Sequence, residues 1–284
     1  MSDISSKSLR QTEEFALGAY KALGPLPNYI GDEIIVMRHA ETIAEVFPDW
    51  VAQSMLGENC YDPFDVNVPI ELARRPQMQK SNDADPPLSE IARVCSKMMA
   101  RELCDRKICP SVIFCSPDIA SIETACLIKK FIGEKCGPIR IEPELSTMHA
   151  VSHLFFSKES LAKLGYDIDK DAEPLKTIST KVTLPDLRAR IKRAFYELTN
   201  VAINPLFIVD SLAAKIIASH FYLIQFDEKL DVEVERAASF KTMPPLANIT
   251  LYRMGTEGIK MYDISSLSLR PLTYTGFSNN IDVD

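Results

Sequence analysis

The sequence predicts an α/β fold: a mostly parallel sheet with helices on both faces, in one domain with insertions. Three observations carry this. Short apolar runs recur at Glu33–Met37, Val112–Cys115 and Leu206–Val209, each short enough for a strand buried on both faces. Segments with helical spacing follow the last two, through Ile119, Ile122 and Ala125 and through Leu212, Ile216 and Leu223. Strand then helix, repeated, is the grammar of a parallel sheet with covering helices. No internal repeat and no second core is visible in the 284 residues, a length comfortable for one large domain.

Taken in order, residues 1–31 read as an N-terminal extension, and residues 32–284 as the domain. Within the extension, Leu9 to Leu23 has helical spacing and ends at Gly24-Pro25-Leu26-Pro27, which breaks a helix. The first strand is expected at 33–37. Residues 57–87, rich in Pro, Asp and Asn, read as a long inserted loop. Further strands are expected near 111–115, 139–142, 206–209 and 249–253. An amphipathic helix is expected over Leu187–Ala202, opened by Pro185, since proline fits the first turn of a helix. A terminal hairpin is expected around Gly255-Thr256-Glu257-Gly258.

Composition narrows the function classes. Thirty-two basic and 39 acidic residues give a net charge of -7, which argues against an electrostatic nucleic-acid binder. The seven Cys form no Cys-x-x-Cys pair and fall partly inside apolar runs, so they read as reduced thiols and not as a disulfide frame or a metal site. The longest apolar stretch, Leu206 to Ile224, contains Asp210, Lys215 and His220, which speaks against a membrane span. No export signal is visible at the start. The expected location is the cytoplasm, with no membrane association and no cofactor.

Arg38-His39-Ala40-Glu41 follows the first strand directly. Ligands of open α/β sheets bind at the carboxyl ends of strands. There an Arg can grip two phosphate oxygens and a neutral His can attack phosphorus. Such a dipeptide alone is also compatible with a surface pair.

Its surroundings are more specific. Ile35 to Glu41 resembles the Arg-His-Gly signature of the histidine phosphatase (phosphoglycerate-mutase-like) superfamily. Asp85-Pro86-Pro87-Leu88-Ser89 resembles the family's stretch before its first long helix. Ser116-Pro117 with Glu123-Thr124-Ala125 resembles a second segment, and Ile141-Glu142-Pro143-Glu144-Leu145 a third. Val46-Phe47, Trp50, Gln53, Asn67-Val68-Pro69, Leu272-Thr273 and Gly276-Phe277 give a particular likeness to the phosphatase domain of suppressor-of-T-cell-receptor-signalling, or ubiquitin-associated and SH3-containing, proteins. The resemblance spans roughly residues 33–278.

This resemblance implies a positively charged pocket around a nucleophilic His. Arg38 falls on the phosphate-binding position and His39 on the nucleophile. An additional Arg of the signalling subgroup falls on Thr42, and the second family Arg on Ala120. The proton-donating acid falls near Thr147, and the second His on Asp210. Two positions match and four are degenerate. Glu144 or His149 could stand in for the acid, and Lys129, Lys130 or Arg140 could supply charge. No third metal ligand accompanies His149 and His153. The resemblance also implies a homodimer.

One lost charge donor at such a site costs about 3 kcal/mol, or about 10²-fold in rate. Asp210 additionally brings an anion to the position of a phosphate. The favoured reading is a binding or regulatory pseudophosphatase with a protein partner. The alternative is an active phosphomonoester phosphatase with a rearranged pocket and His39 as nucleophile.

Overall fold

The computed structural model describes residues 33–57, 60–175, 183–221, 226, 230–253 and 259–261. The expected N-terminal helix, the Gly255–Gly258 turn and Leu272–Phe277 lie outside the described residues.

A six-stranded sheet organises the chain in the order β5-β4-β6-β1-β7-β8. Its strands are β1 (Glu33–Arg38), β4 (Val112–Cys115), β5 (Ile139–Ile141), β6 (Pro205–Val209), β7 (Asn248–Arg253) and β8 (Ile259–Met261). The first four in spatial order run parallel, while β7 and β8 are antiparallel additions. This is the mostly parallel sheet expected, with each expected strand present.

Strand β1 is central, between β6 and β7. Side chains alternate across a strand, and both sets are buried here. Ile35, Met37, Ile113, Cys115, Leu206 and Ile208 face one layer. That layer is α4 (Glu90–Asp105) and α5 (Ile119–Ile132). Ile34, Val36, Phe114, Phe207 and Val209 face the other. There α7 (Leu184–Asn200) and α8 (Ser211–Phe221) cover the sheet. The apolar runs are continuous because both faces are covered.

Helix boundaries follow local chemistry. The hydroxyl of Ser89 accepts from the Ala92 amide at the start of α4 (3.1 Å). The Asp118 carboxylate accepts from the Ser121 amide at the start of α5 (2.8 Å). Pro185 occupies the first turn of α7, as its fixed φ allows. Two further helices are α6 (Lys158–Lys163), which begins at Ser157, and α9 (Val232–Thr242), which begins at Asp231.

The reading of 57–87 as a plain loop is corrected. The segment contributes to a short hairpin of β2 (Met55–Gly57) and β3 (Cys60–Tyr61), and holds helix α3 (Met78–Ala84). Two more short helices, α1 (Ile43–Val46) and α2 (Trp50–Ser54), precede it. Ile43, Trp50, Met55 and Val68 form a small cluster of their own, so the sequence reading of a single core missed a satellite. Helix α3 escaped notice because its buried residues are the polar Ser81 and Asn82, which leave no apolar period to read.

Candidate active site

The carboxyl ends of β1, β4 and β6 finish level with one another. Arg38 pairs with Val209, and Cys115 with Ile208. The residues that follow therefore emerge on one rim of the sheet. The His39 amide donates to the Val209 carbonyl (3.0 Å) and the Ser116 amide to the Ile208 carbonyl (3.1 Å). These bonds extend the ladder one step and fix where His39, Ser116 and Asp210 begin.

A pocket of about 320 Å³ opens at this rim. His39, Thr42, Ala120 and Asp210 all line it, so four of the six residues nominated from sequence meet in one cavity. Thr147 lies against it through its bond to Asp210. Arg38 is next to His39 in sequence but does not line the pocket.

His39 is 6% exposed. Its Nδ1 lies 2.7 Å from the Ala40 carbonyl. A carbonyl only accepts, so Nδ1 carries a proton and donates; in the neutral ring Nε2 then keeps its lone pair. That is the tautomer a nucleophilic imidazole needs.

Arg38 is fully buried, with both terminal nitrogens engaged and its Nε without a hydrogen-bond partner among the described residues. Its guanidinium pairs with Glu45 and donates to the Met243 carbonyl. The Phe240 ring lies 4.6 Å from its central carbon. The Glu45 carboxylate also accepts from the Thr42 amide (2.7 Å). Thr42 and Glu45 thereby close a capping box on α1. The residue at the subgroup's additional Arg position thus serves as a helix cap.

Asp210 is held by three donors. Its Oδ2 accepts from the Thr147 hydroxyl (2.8 Å) and more distantly from the Thr147 amide (3.3 Å), and its Oδ1 accepts from the Ala213 amide (2.9 Å). Burial pushes its pKa above the ordinary Asp value. Nearby Asp118 adds to the rise, while the Ala213 and Thr147 bonds and the adjacent His39 oppose it. Two of the positions nominated from sequence are therefore hydrogen-bonded to each other.

The remaining candidates are elsewhere. Glu144 is buried and pairs with Arg193, with Arg190 at 3.9 Å, so it is not available as a stand-in acid. Lys129 pairs with Asp167 (2.8 Å) and Arg140 with Asp169 (3.3 Å). Lys130 and His153 are exposed. The side chain of His149 is outside the described residues. Among the described residues, no group of three or more His, Cys, Asp or Glu could hold a metal ion.

Sequence reasoning missed Asp85, Asp118, Glu233, Arg236 and Phe240, all of which line the pocket. Asp118 was detectable as the capping residue ahead of α5. Asp85 pairs with Arg75 (2.8 Å) and accepts from the Ile119 amide (2.9 Å). Burial outweighs that pairing and pushes its pKa up to about 7. Glu233 and Arg236 pair with each other on α9, a helix the sequence reading did not contain.

Sheet order and two-sided helical cover, with a His at the end of the central strand, define the class of fold: a histidine-phosphatase-like, or phosphoglycerate-mutase-like, α/β fold. A solved structure of similar fold is the ecdysone phosphate phosphatase from Bombix mori, in complex with tungstate. It superposes with a TM-score of 0.63 at 16% identity, over 82% of this chain and 93% of that one. The sequence relatives are more particular. Ubiquitin-associated and SH3 domain-containing protein A from Homo sapiens is 31% identical over 153 residues, which is 51% of this chain and 23% of that protein. Ecdysteroid-phosphate phosphatase from Drosophila melanogaster is 26% identical over 181 residues, 58% of this chain and 22% of that protein. The matched segment therefore spans under a quarter of either curated relative. No protein-family model matches the chain. Among the described residues, no helix is long and apolar enough to cross a membrane.

Proposed function

We propose that this protein is a pseudophosphatase: a histidine-phosphatase fold that works in the cytoplasm by binding a protein partner, with no cofactor. The observation that carries the reading is the state of Arg38. The one arginine retained at a family phosphate-binding position is buried against Glu45, the Met243 carbonyl and Phe240, with none of it in the pocket. The second family arginine is Ala120, and Asp210 stands where a histidine is expected.

Phosphoryl transfer is stabilised by positioned positive charge. With the guanidinium groups absent or engaged, a phosphate would meet Asp118 and Asp210 beside His39. Two unit charges about 4 Å apart repel by about 4 kcal/mol at an effective dielectric of about 20, on top of the missing donors. The test is hydrolysis of p-nitrophenyl phosphate by wild type and His39→Ala. Equal, background-level rates are expected.

A second reading, an active phosphatase with a rearranged pocket, draws on one observation. The bond from His39 Nδ1 to Ala40 leaves Nε2 in the form a nucleophile requires. A clear rate that disappears in His39→Ala would establish this reading and displace the first.

A further inference from the structure

Six charged or titratable side chains face the pocket: His39, Asp85, Asp118, Asp210, Glu233 and Arg236. Arg75 neutralises Asp85, and Arg236 neutralises Glu233. Asp118 and Asp210 form no ion pair among the described residues, although they are only 4% and 5% exposed; the buried Arg190 is within electrostatic reach of Asp210 but is engaged by Glu144 and the Ser146 carbonyl. Their partners are neutral donors: the Ser121 amide and Ser116 hydroxyl for Asp118, and Thr147 and the Ala213 amide for Asp210. Buried carboxylates are ordinarily paired with a cation or share a proton, because burying an uncompensated charge is costly.

A second, independent feature points the same way. His39 is only 6% exposed, and it lines the cavity. Its Nδ1 hydrogen is used by Ala40. Nε2 has no partner among the described residues and in the neutral ring offers only a lone pair. Around His39 the polar floor is therefore built of acceptors, in the imidazole and in both carboxylates, with Thr42, Ser211 and the Glu233-paired Arg236 also in the lining. The walls include Ala84, Pro86, Ala120, Met148, Ala237 and Phe240, which suit a hydrocarbon chain.

From the acceptor floor and the apolar walls, we infer that the pocket takes an aliphatic cation, a guanidinium or ammonium on a hydrocarbon stem, presented as the arginine or lysine side chain of a protein partner. The inference rests on the binding reading above and names the chemistry of its ligand. A guanidinium carries five donors and no acceptor, which matches a floor of acceptors. The raised pKa of Asp210 adds a linkage: where Asp210 holds a proton, the entering cation expels it, so affinity rises with pH.

Calorimetry at low salt on the full chain tests this with n-butylguanidinium, inorganic phosphate and the peptide acetyl-Gly-Arg-Gly-amide. Both guanidinium probes should bind wild type and phosphate should not. Asp210→Asn and Asp118→Asn should each weaken guanidinium binding by about tenfold or more, since charge-assisted hydrogen bonds are the strong ones. Asn still caps a helix, so Asp118→Asn keeps the start of α5. Ala120→Arg supplies a guanidinium from within and should abolish binding of the added one, with thermal unfolding showing each variant folded. No guanidinium binding to wild type overturns the inference, as does an affinity unchanged in Asp210→Asn. Binding of n-butylguanidinium but not of the peptide overturns the protein side chain as its source. An inactive protein that binds no guanidinium defeats this inference alone, whereas His39-dependent hydrolysis with guanidinium binding intact defeats only the non-catalytic reading.

Discussion

Replacing Glu45 separates the structural role of the Arg38 pair from its effect on the pocket. Arg38 and Glu45 have side chains 0% and 5% exposed, so solvent screening does not discount their attraction. Removing one partner of a buried pair strands the other charge and costs about 3–5 kcal/mol. The Met243 carbonyl and Phe240 ring would still hold Arg38, which places Glu45→Ala at the lower end. Loss of the Thr42 capping bond then adds about 1 kcal/mol. The total, about 4 kcal/mol, corresponds to a fall in Tm of about 10 °C for a chain of this size. Glu45→Gln keeps an acceptor for Thr42 and removes the charge, so its fall should be smaller. Both variants leave Arg38 without its carboxylate, so phosphate affinity should rise above wild type in each. Thermal unfolding followed by circular dichroism measures the first effect and phosphate calorimetry the second. A Tm unchanged in Glu45→Ala would refute the structural role of the pair. Equal phosphate affinity in wild type and Glu45→Gln would refute the claim that Glu45 withholds Arg38.

The other predictions are independent of that pair. The triple variant Ala120→Arg, Thr147→Glu, Asp210→His should bind phosphate or vanadate better than wild type by calorimetry, while each single change does little. Glu41 is buried, and desolvation, reinforced by Glu45, raises its pKa to about 7. The folded state then keeps a proton that the unfolded chain releases, so stability falls as pH rises from about 4.5 to about 7, by about 3 kcal/mol at about 1.4 kcal/mol per pH unit. Glu41→Gln should flatten that loss, read as a smaller difference in urea midpoint between pH 5 and pH 8. Light scattering at micromolar concentration should return twice the 31.8 kDa chain mass for a homodimer, and a single chain mass would reject it.

The strands were legible because each is buried on both faces and so reads as an unbroken apolar run. The same runs located the rim, since a parallel sheet puts its crevice at strand ends, and that is where His39, Ala120 and Asp210 converge. Helix α9 was not legible. Its buried residues are Val232, Glu235 and Ser239, and Glu235 is satisfied by Lys215 from α8, so no apolar stripe marks it. With α9 unseen, Glu233, Arg236 and Phe240 could not be placed at the pocket. The fate of Arg38 was hidden for a different reason. Its partners come from seven residues later and from Met243 far along the chain, and a motif reports which residue is present without reporting which way it turns.

The bond between Thr147 and Asp210 refines what the substitutions mean. Taken one at a time, Asp210 is a buried anion and Thr147 a lost acid. Taken together, the Thr147 hydroxyl and amide satisfy one oxygen of Asp210, and the Ala213 amide satisfies the other. Reverting only one position would break a buried hydrogen bond without completing a phosphate site, and a buried polar group left without its partner costs about 1–3 kcal/mol. Thr42 behaves alike, since an arginine there would remove the hydroxyl of a capping box whose other half is Glu45, the residue that holds Arg38. Three of the four degenerate positions, Thr42, Thr147 and Asp210, thus belong to two polar clusters, one around Asp210 and one around Glu45, while Ala120 adds a small apolar side chain to the pocket wall. A site built this way is stable without a phosphate, which is the physical requirement for a fold that keeps its pocket while changing what the pocket binds.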